Sequence, residues 1–477
     1  MSEADNDIIR QRKDKLKELI SKGIEPYGRK FLRSHTLSDC IISFQESLEV
    51  QVAGRVMSLR GHGKSIFGNL EDRTGKLQFY IKKDLVGEET FDLFHKVDIG
   101  DILGITGTLF KTHTGEVTVL IKSFTFLSKS LRPLPEKWHG LKDVEIRYRQ
   151  RYLDLVSNRD IQKLFQLRSK IIKGIREFLD RLGFQEVETP MMQSIAGGAV
   201  AKPFQTHHEA LGLDLFLRIA PELYLKRLLV GGLEKVYELN RNFRNEGLSR
   251  FHNPEFSMLE VYSAYDDYRD MMKLTEDLLV FLCDQVIGSR EISRENDFIK
   301  FAPPWTRLDY FEAIKIHTGI DALSLKDPAS EAKRLGLTVD PAWSAMEVVN
   351  EIFEKLVQEK LIQPTFIIDY PVELCPLAKT KLNDPSRAER FELFIQGLEV
   401  ANAYSELNDP IDQAKRFEEQ SRLLGKESDE DFIRALEHGM PCAGGLGIGI
   451  DRLVMILTGA ESIREVIFFP QLRPEAK

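Results

Sequence analysis

The sequence predicts an α+β protein: a small five-stranded β-barrel near the N-terminus, then a larger domain on an antiparallel sheet flanked by helices. Three observations predict it. Residues 48–127 break into short alternating apolar segments, from residue 147 onward helices and longer strands mix without βαβ alternation, and 477 residues exceed one ordinary core.

The elements follow in order. Residues 6–22 read as an amphipathic helix with Asp5, Asn6 or Asp7 as candidate caps, stopped by Gly23 and Pro26, within a lead-in spanning 1–47. LEVQVAGRVMSLR, KSIFGNLEDRT, GKLQFYIKK, DILGITGTLFKTHTG and EVTVLIKSFTFLS then supply five strands separated by Gly-rich or polar turns. That density over 48–130 suits a closed barrel of the oligonucleotide/oligosaccharide-binding (OB) type. LRPLPEK opens a Pro-punctuated linker, 131–146. In the second domain, 147–477, a helix over 160–182 ends at Gly183, and GFQEVETPMM makes a helix-to-strand transition. A hairpin over Lys235–Tyr265 is followed by helices at 266–288 and 344–360. TFIIDYP and FELFIQGLEVANAYSEL read as strands, 410–424 as a helix, and GGLGIGIDRLVMILTG as a Gly-rich strand entering an apolar helix.

Composition excludes several classes. With 42% apolar and 29% charged residues the chain is globular, not disordered. It has no apolar run long enough for a transmembrane helix and no signal-peptide pattern at its start, so a cytoplasmic protein is expected. Cys40, Cys283, Cys375 and Cys442 are scattered without a CxxC pair, which argues against structural zinc and a disulfide framework. The net charge of −8 does not exclude nucleic acid, because binding depends on local patches, and residues 10–33 are rich in Lys and Arg.

The hairpin KVYELNRNFRNEGLSRFHNPEFSMLEVYSAY carries the chemistry. Read as strands, it puts Arg244 and Glu246 on one face of the first arm and Phe256, Met258, Glu260 and Tyr262 on one face of the second. Arg244 can fork onto phosphate oxygens, Phe256 offers a stacking face, and Arg250 and His252 in the loop are placed to close over phosphates. In GLGIGIDR, glycines 445, 447 and 449 leave one strand face bare, and Arg452 sits at the strand-to-helix junction. Neither GxxxxGK[ST] nor a GxGxxG after a strand is present.

GFQEVETPMM, FRNE with HNPEF, and GLGIGIDR resemble motifs 1, 2 and 3 of class II aminoacyl-tRNA synthetases, in that order (183–192, 240–260 and 444–459). With the preceding barrel they resemble the subgroup for lysine, aspartate and asparagine. AGGAVAKPF, APELYLKRLLVGG, NRNFRNEG, YSELNDP and ALEHGMP are most similar to the lysyl-tRNA synthetase family, over essentially the whole chain. Cys375, where that family often has serine, and Ala401 are small departures.

The resemblance implies a homodimer that uses lysine, ATP, tRNA(Lys) and Mg²⁺. Arg244 would hold the α-phosphate and Glu246 the adenine amino group. His252 would meet the outer phosphates, and the adenine would lie between Phe256 and Arg452. Glu392 and Glu399 would bind magnesium. A Gln396-Gly397 turn would independently place them as diagonal neighbours, with 392 opposite 401 and 399 opposite 394. Glu260, Tyr262 and Glu406 would meet the lysine ε-ammonium, Glu222 and the backbone near Gly198 the α-amino group, and Asn402, with Tyr404 in phase, the carboxylate end. Glu399 is out of phase with Asn402, Tyr404 and Glu406, and a bulge would reconcile them. On the barrel, Phe67 and Gln78, with Arg60 and Glu116, would read the anticodon. The rivals are an aspartate or asparagine relative, a non-catalytic RNA-binding paralogue, and a ligase that lysylates protein.

Overall fold

The computed structural model describes residues 3–135, 141, 143–199, 201–294, 297–424 and 429–474. Part of the expected linker (136–140 and 142), Val200 of AGGAVAKPF, the side chain of Asp5 and the extreme ends of the first and last domains lie outside the described residues. The chain forms two compact units, Met1–Lys142 and Asp143–Lys477.

In the first unit, helix α1 (Glu3–Ser21) starts ahead of Asn6 and Asp7, which therefore sit inside the helix and do not cap it. Part of its basic face is structural: Arg12 is buried and donates to the carbonyls of Ile99, Ser130 and Arg132, and Lys15 pairs with Asp98 at 2.6 Å. Strands β1 (Glu49–His62), β2 (Ser65–Glu71), β3 (Lys76–Lys82), β4 (Ile102–Lys111) and β5 (Val117–Ser128) close a barrel in the order β1-β2-β3-β5-β4. Alternation decides its inside. Ile66, Leu70, Leu77, Phe79 and Ile81 point into the core, with Gly68 in phase with them, and Phe67, Asn69, Gln78 and Tyr80 point out.

The second unit is built on an eight-stranded sheet. Its strands are β6 (Gln185–Glu186), β7 (Lys235–Phe243), β8 (Glu255–Ala264), β9 (Thr306–Asp309), β10 (Thr365–Ile368), β11 (Arg390–Ile395), β12 (Leu398–Ser405) and β13 (Ala443–Gly449), in the order β9-β10-β11-β12-β13-β8-β7-β6. Only the pairs at the two edges are parallel. One face, with Leu259, Val261, Leu393, Ala401, Leu446 and Ile448, packs on helices α2 (Arg159–Arg181), α3 (Tyr268–Leu282) and α4 (Ile450–Thr458). The opposite face carries the polar residues of the site.

Three expectations change here. GFQEVETPMM contributes two short strand pieces: Gln185–Glu186, parallel to Val236 and Tyr237, and Met192, which opens a two-residue strand paired with Leu217. The helix predicted over 266–288 is α-helical to Leu282 and finishes with a π turn, Cys283–Ile287. Strand β7 ends at Phe243, so Arg244 and Glu246 are loop residues and strand alternation does not govern them.

Candidate functional site

The site is assembled by register. Glu392, Asn402, Gly447 and Glu260 stand opposite one another across β11, β12, β13 and β8; Arg390, Tyr404, Gly445 and Tyr262 form the next row. Because strand side chains alternate, both rows face the same way. They floor a cavity of about 450 Å³ that also reaches Gly198, Glu222, Arg244, Glu246, His252, Phe256, Glu399, Glu406 and Arg452. The structure thus brings together most of the second-domain residues singled out in the sequence, with Glu392 in the floor row beside Asn402; Arg250 is the exception, exposed and paired with Glu461 at 3.2 Å, outside this cavity.

The phase conflict at Glu399 is resolved by a bulge. Leu393 pairs with Ala401 but Phe394 pairs with Glu399, leaving Val400 as the extra residue. That returns Glu399 to the face of Asn402 and Tyr404. It also corrects the expected register: Glu392 opposes Asn402, not residue 401, because the bulge adds one position to β12. The turn uses Gln396 and Gly397, both at positive φ (55° and 70°), as a tight two-residue hairpin requires.

The open end of the cavity is basic and aromatic. Arg244 lies over the Phe256 ring at 5.1 Å, and its Nε is buried without a partner among the described residues. Arg452 does not stack on Phe256 here; it donates to the Glu399 carbonyl (2.8 Å) and lies 3.0 Å from His252 Nε2. A guanidinium cannot accept, so Nε2 is the acceptor and Nδ1–H donates to Ser249 Oγ at 2.8 Å. Desolvation, and then the charge of Arg452, hold His252 below its ordinary pKa. Glu246 is exposed at the rim.

The closed end is acidic. Glu222, Glu260 and Glu406 are 5%, 3% and 0% exposed; the buried Lys226 (0%) is the cation of Glu222 and Glu406, and Glu260 is faced by Arg244. Its Nζ bonds Glu222 Oε1 at 2.7 Å and pairs with Glu406 Oε2. Tyr404 Oη donates to the same Glu222 oxygen (2.7 Å), and Tyr262 Oη to Glu260 Oε2 (3.2 Å). Burial, and then Glu222, push Glu260 well above the carboxylate range. Burial pushes Glu406 up to about 8 against the pull of Lys226.

The Gly-rich strand is not simply bare. A Cβ at residue 445 would lie 1.7 Å from Glu406 Oε1 and 2.8 Å from the Tyr262 ring. Gly445→Ala is therefore expected to cost about 1–3 kcal/mol of stability by overpacking, read as a lower denaturant midpoint at unchanged m-value.

Between the two ends, Glu392 accepts from Tyr370 Oη at 2.7 Å and pairs with Arg390, whose Nε donates to Asn402 Oδ1 at 3.1 Å. Burial, opposed by Arg390 and reinforced by Glu399, raises Glu392 to about 7. Two mutually repelling carboxylates with oxygen donors suit a hard divalent cation. No group of three or more His, Cys, Asp or Glu among the described residues forms a full cage, so such an ion would take its other ligands from water or a bound anion.

Sequence reasoning missed several contributors. Lys226 follows Glu222 by four residues, the helical ion-pair spacing, and Arg390 precedes Glu392 in phase on its strand. Asp451, beside Arg452, accepts from the Ser257 amide (2.7 Å) and pairs with Arg168 (2.6 Å), tying the start of α4 to β8. Nothing in the sequence pairs Arg168 with Asp451.

On the barrel, Phe67 belongs to the outward-facing set and is half-buried, stacked on Tyr80 with centroids 4.3 Å apart. Arg60 pairs with Phe67 across β1 and β2. Gln78 donates to Glu116 at 2.8 Å and accepts from Thr118. The four candidates thus share one patch, to which Tyr80 and Phe110 add aromatic surface.

Residues 143–473 match the family model of class II tRNA synthetases (D, K and N), and residues 50–127 match that of the OB-fold nucleic acid binding domain. The lysine–tRNA ligase of Pelotomaculum thermopropionicum is 57% identical, covering 98% of this chain and 95% of its own. That of Carboxydothermus hydrogenoformans is 55% identical, covering 98% of each, and that of Staphylococcus haemolyticus 51%, covering 99% and 100%.

Proposed function

The chain belongs to the class II tRNA synthetases, as a lysine–tRNA ligase that activates lysine with ATP and passes it to tRNA, and we propose that its residues divide the work as follows. The observation that carries the assignment of roles is the acidic closed end opposite a basic, aromatic mouth. Glu260, Tyr262 and Glu406 receive the lysine ε-ammonium, Glu222 and the backbone near Gly198 the α-ammonium, and Asn402 with Tyr404 steers the carboxylate end. An aspartate or asparagine side chain would leave these buried acids unpaired.

ATP lies at the mouth. Its adenine stacks on Phe256, which requires Arg244 to turn from that ring onto the α-phosphate. Arg452 then covers the other face of the base, Glu246 reads the adenine amino group, and His252 meets the outer phosphates. The lysine carboxylate, already ionised, attacks the α-phosphorus: a C–O–P bond forms, the α–β bridging P–O bond breaks and pyrophosphate leaves. No general base is needed. Arg244 and Arg452 neutralise charge on the transferring group, and positioning supplies most of the rest. Magnesium held by Glu392 and Glu399 would supply further charge neutralisation of the phosphates. The tRNA 3′-terminal ribose hydroxyl then attacks the lysyl carbonyl and releases AMP.

Phe67, Gln78, Arg60 and Glu116 read the anticodon from the outer face of the barrel. Phe67→Ala is expected to cost about 1–3 kcal/mol of tRNA affinity, the value of one base stacked on an aromatic, and to spare pyrophosphate exchange. Equal loss in both assays would assign Phe67 to barrel stability instead. A homodimer is supported by exposed apolar residues in and after motif 1, Met191, Met192, Leu211 and Leu213. A cytoplasmic location fits this activity, and no helix among the described residues is long and apolar enough to cross a membrane. The test of the whole reading is ATP–pyrophosphate exchange without tRNA, each amino acid assayed separately: exchange with lysine alone is expected, and exchange with aspartate or asparagine would overturn the pocket assignments.

A further inference from the structure

The lysine pocket is unbalanced when empty. Three carboxylates are each at least nine-tenths buried; Lys226 pairs with two of them, Glu222 and Glu406, Glu260 is faced by Arg244, and Glu406 Oε1 has no hydrogen-bond partner among the described residues. Burying uncompensated charge is costly enough that the surplus acids hold protons instead. Substrate lysine brings two ammonium groups to this acidic end, with its carboxylate directed to Asn402 and Tyr404.

We propose that Lys226 is a specificity-determining positioning residue, a built-in counter-ion whose single charge leaves the empty acidic end short of positive charge, so that lysine enters by displacing protons. This rests on the assignment of the acidic end as the lysine site. Lys226 takes Oε1 of Glu222 and Oε2 of Glu406. The other oxygen of each is thereby left for substrate, and Gly445 provides the space in which Glu406 Oε1 sits.

The groups facing Glu406 are Lys226 and Glu222 from the helix Glu222–Val230, Tyr262 from β8 and Tyr404 from β12; β13 offers only Gly445. Glu260 is faced by Glu222, Tyr262, Glu238 and Arg244. Burial works against the charge of Lys226, but Glu222 and Glu406 outweigh it and raise its pKa, so it stays charged throughout the neutral range. Glu406 and Glu260, in contrast, are raised, so protons bound in the free enzyme leave on binding. By linkage, lysine affinity rises with pH toward the Glu406 value of about 8.

The experiment has two arms on the full-length protein. Calorimetry of lysine binding to the wild type near pH 7, in two buffers of different ionisation enthalpy, is expected to show release of about one proton or more per lysine. In pyrophosphate exchange, lysine KM should fall as pH rises from 6.5 to 8.5. Lys226→Gln removes the cation that holds Glu406 down, so the midpoint of that profile should move to higher pH. Lysine KM at neutral pH should rise by about 30-fold or more, with ATP KM little changed. Lys226→Arg, which restores the charge, should return the midpoint toward wild type. Lysine binding without proton release and with a flat KM profile would overturn the proposal, as would a Lys226→Gln enzyme with an unmoved midpoint. The calorimetric arm decides the question if the variant does not fold. Absence of lysine binding altogether would instead remove the assignment of the site.

Discussion

Arg244→Ala removes adenylate formation while leaving the protein folded. The expected loss in pyrophosphate exchange is about 10³-fold, the scale of deleting one preorganised charge at a transferring phosphoryl group. The fold should survive because the side chain ties no elements together: among the described residues its Nε has no hydrogen-bond partner, its ring contact is Phe256, and the carboxylates that face it, Glu399, Glu246 and Glu260, belong to the site itself. The bond that shapes the loop, from the Arg244 amide to the Pro254 carbonyl at 2.8 Å, belongs to the backbone and persists in the variant. Circular dichroism and the denaturant midpoint should therefore match wild type. Robust exchange by folded Arg244→Ala protein would sink the role given to this residue.

Glu406→Gln should damage lysine recognition more than chemistry. The side chain is fully buried, so its loss replaces a charge-paired contact by a neutral amide in a closed pocket and leaves Lys226 with Glu222 alone. Truncating one partner of a buried charge pair costs about 2–5 kcal/mol, which puts lysine KM up by about 30-fold or more. ATP KM should move little, because Glu406 belongs to the closed end, away from the arginines. The pH dependence of lysine KM near 8 should vanish with the group that titrates there. A matched loss in ATP and lysine KM would show a general collapse of the pocket and not a recognition role.

Much of the architecture was legible in the chain because it rests on local rules. The five barrel strands announced themselves by period-two patterning between Gly-rich turns, and the inward set Ile66, Leu70, Leu77 and Phe79 follows from that alternation. Phe256, Met258, Glu260 and Tyr262 could be placed on one face for the same reason. Alternation failed where the strand stopped. Alternation alone makes Arg244 and Glu246 strand positions, but β7 ends at Phe243, and a boundary depends on where the partner strand stops pairing. It failed again at Glu399, where the extra residue Val400 shifts the register by one and no composition signal marks it.

The sequence by itself determined the fold class, the family resemblance, and which carboxylates, arginines and aromatics were available to a site. Those follow from residue type and short-range periodicity, which every chain carries in its own order. Only the tertiary structure decided which charges meet. Lys226 lies 180 positions before Glu406 yet pairs with it; Arg168 reaches Asp451; Arg390 joins Glu392 to Asn402; Phe67 faces outward onto Tyr80. These contacts are long-range and electrostatic, and their weight depends on burial, which is a property of the packed sheet and not of any segment. The same carboxylate that reads as an acidic surface residue in the chain becomes, at 0% exposure beside one buried ammonium, a group that holds a proton near neutral pH.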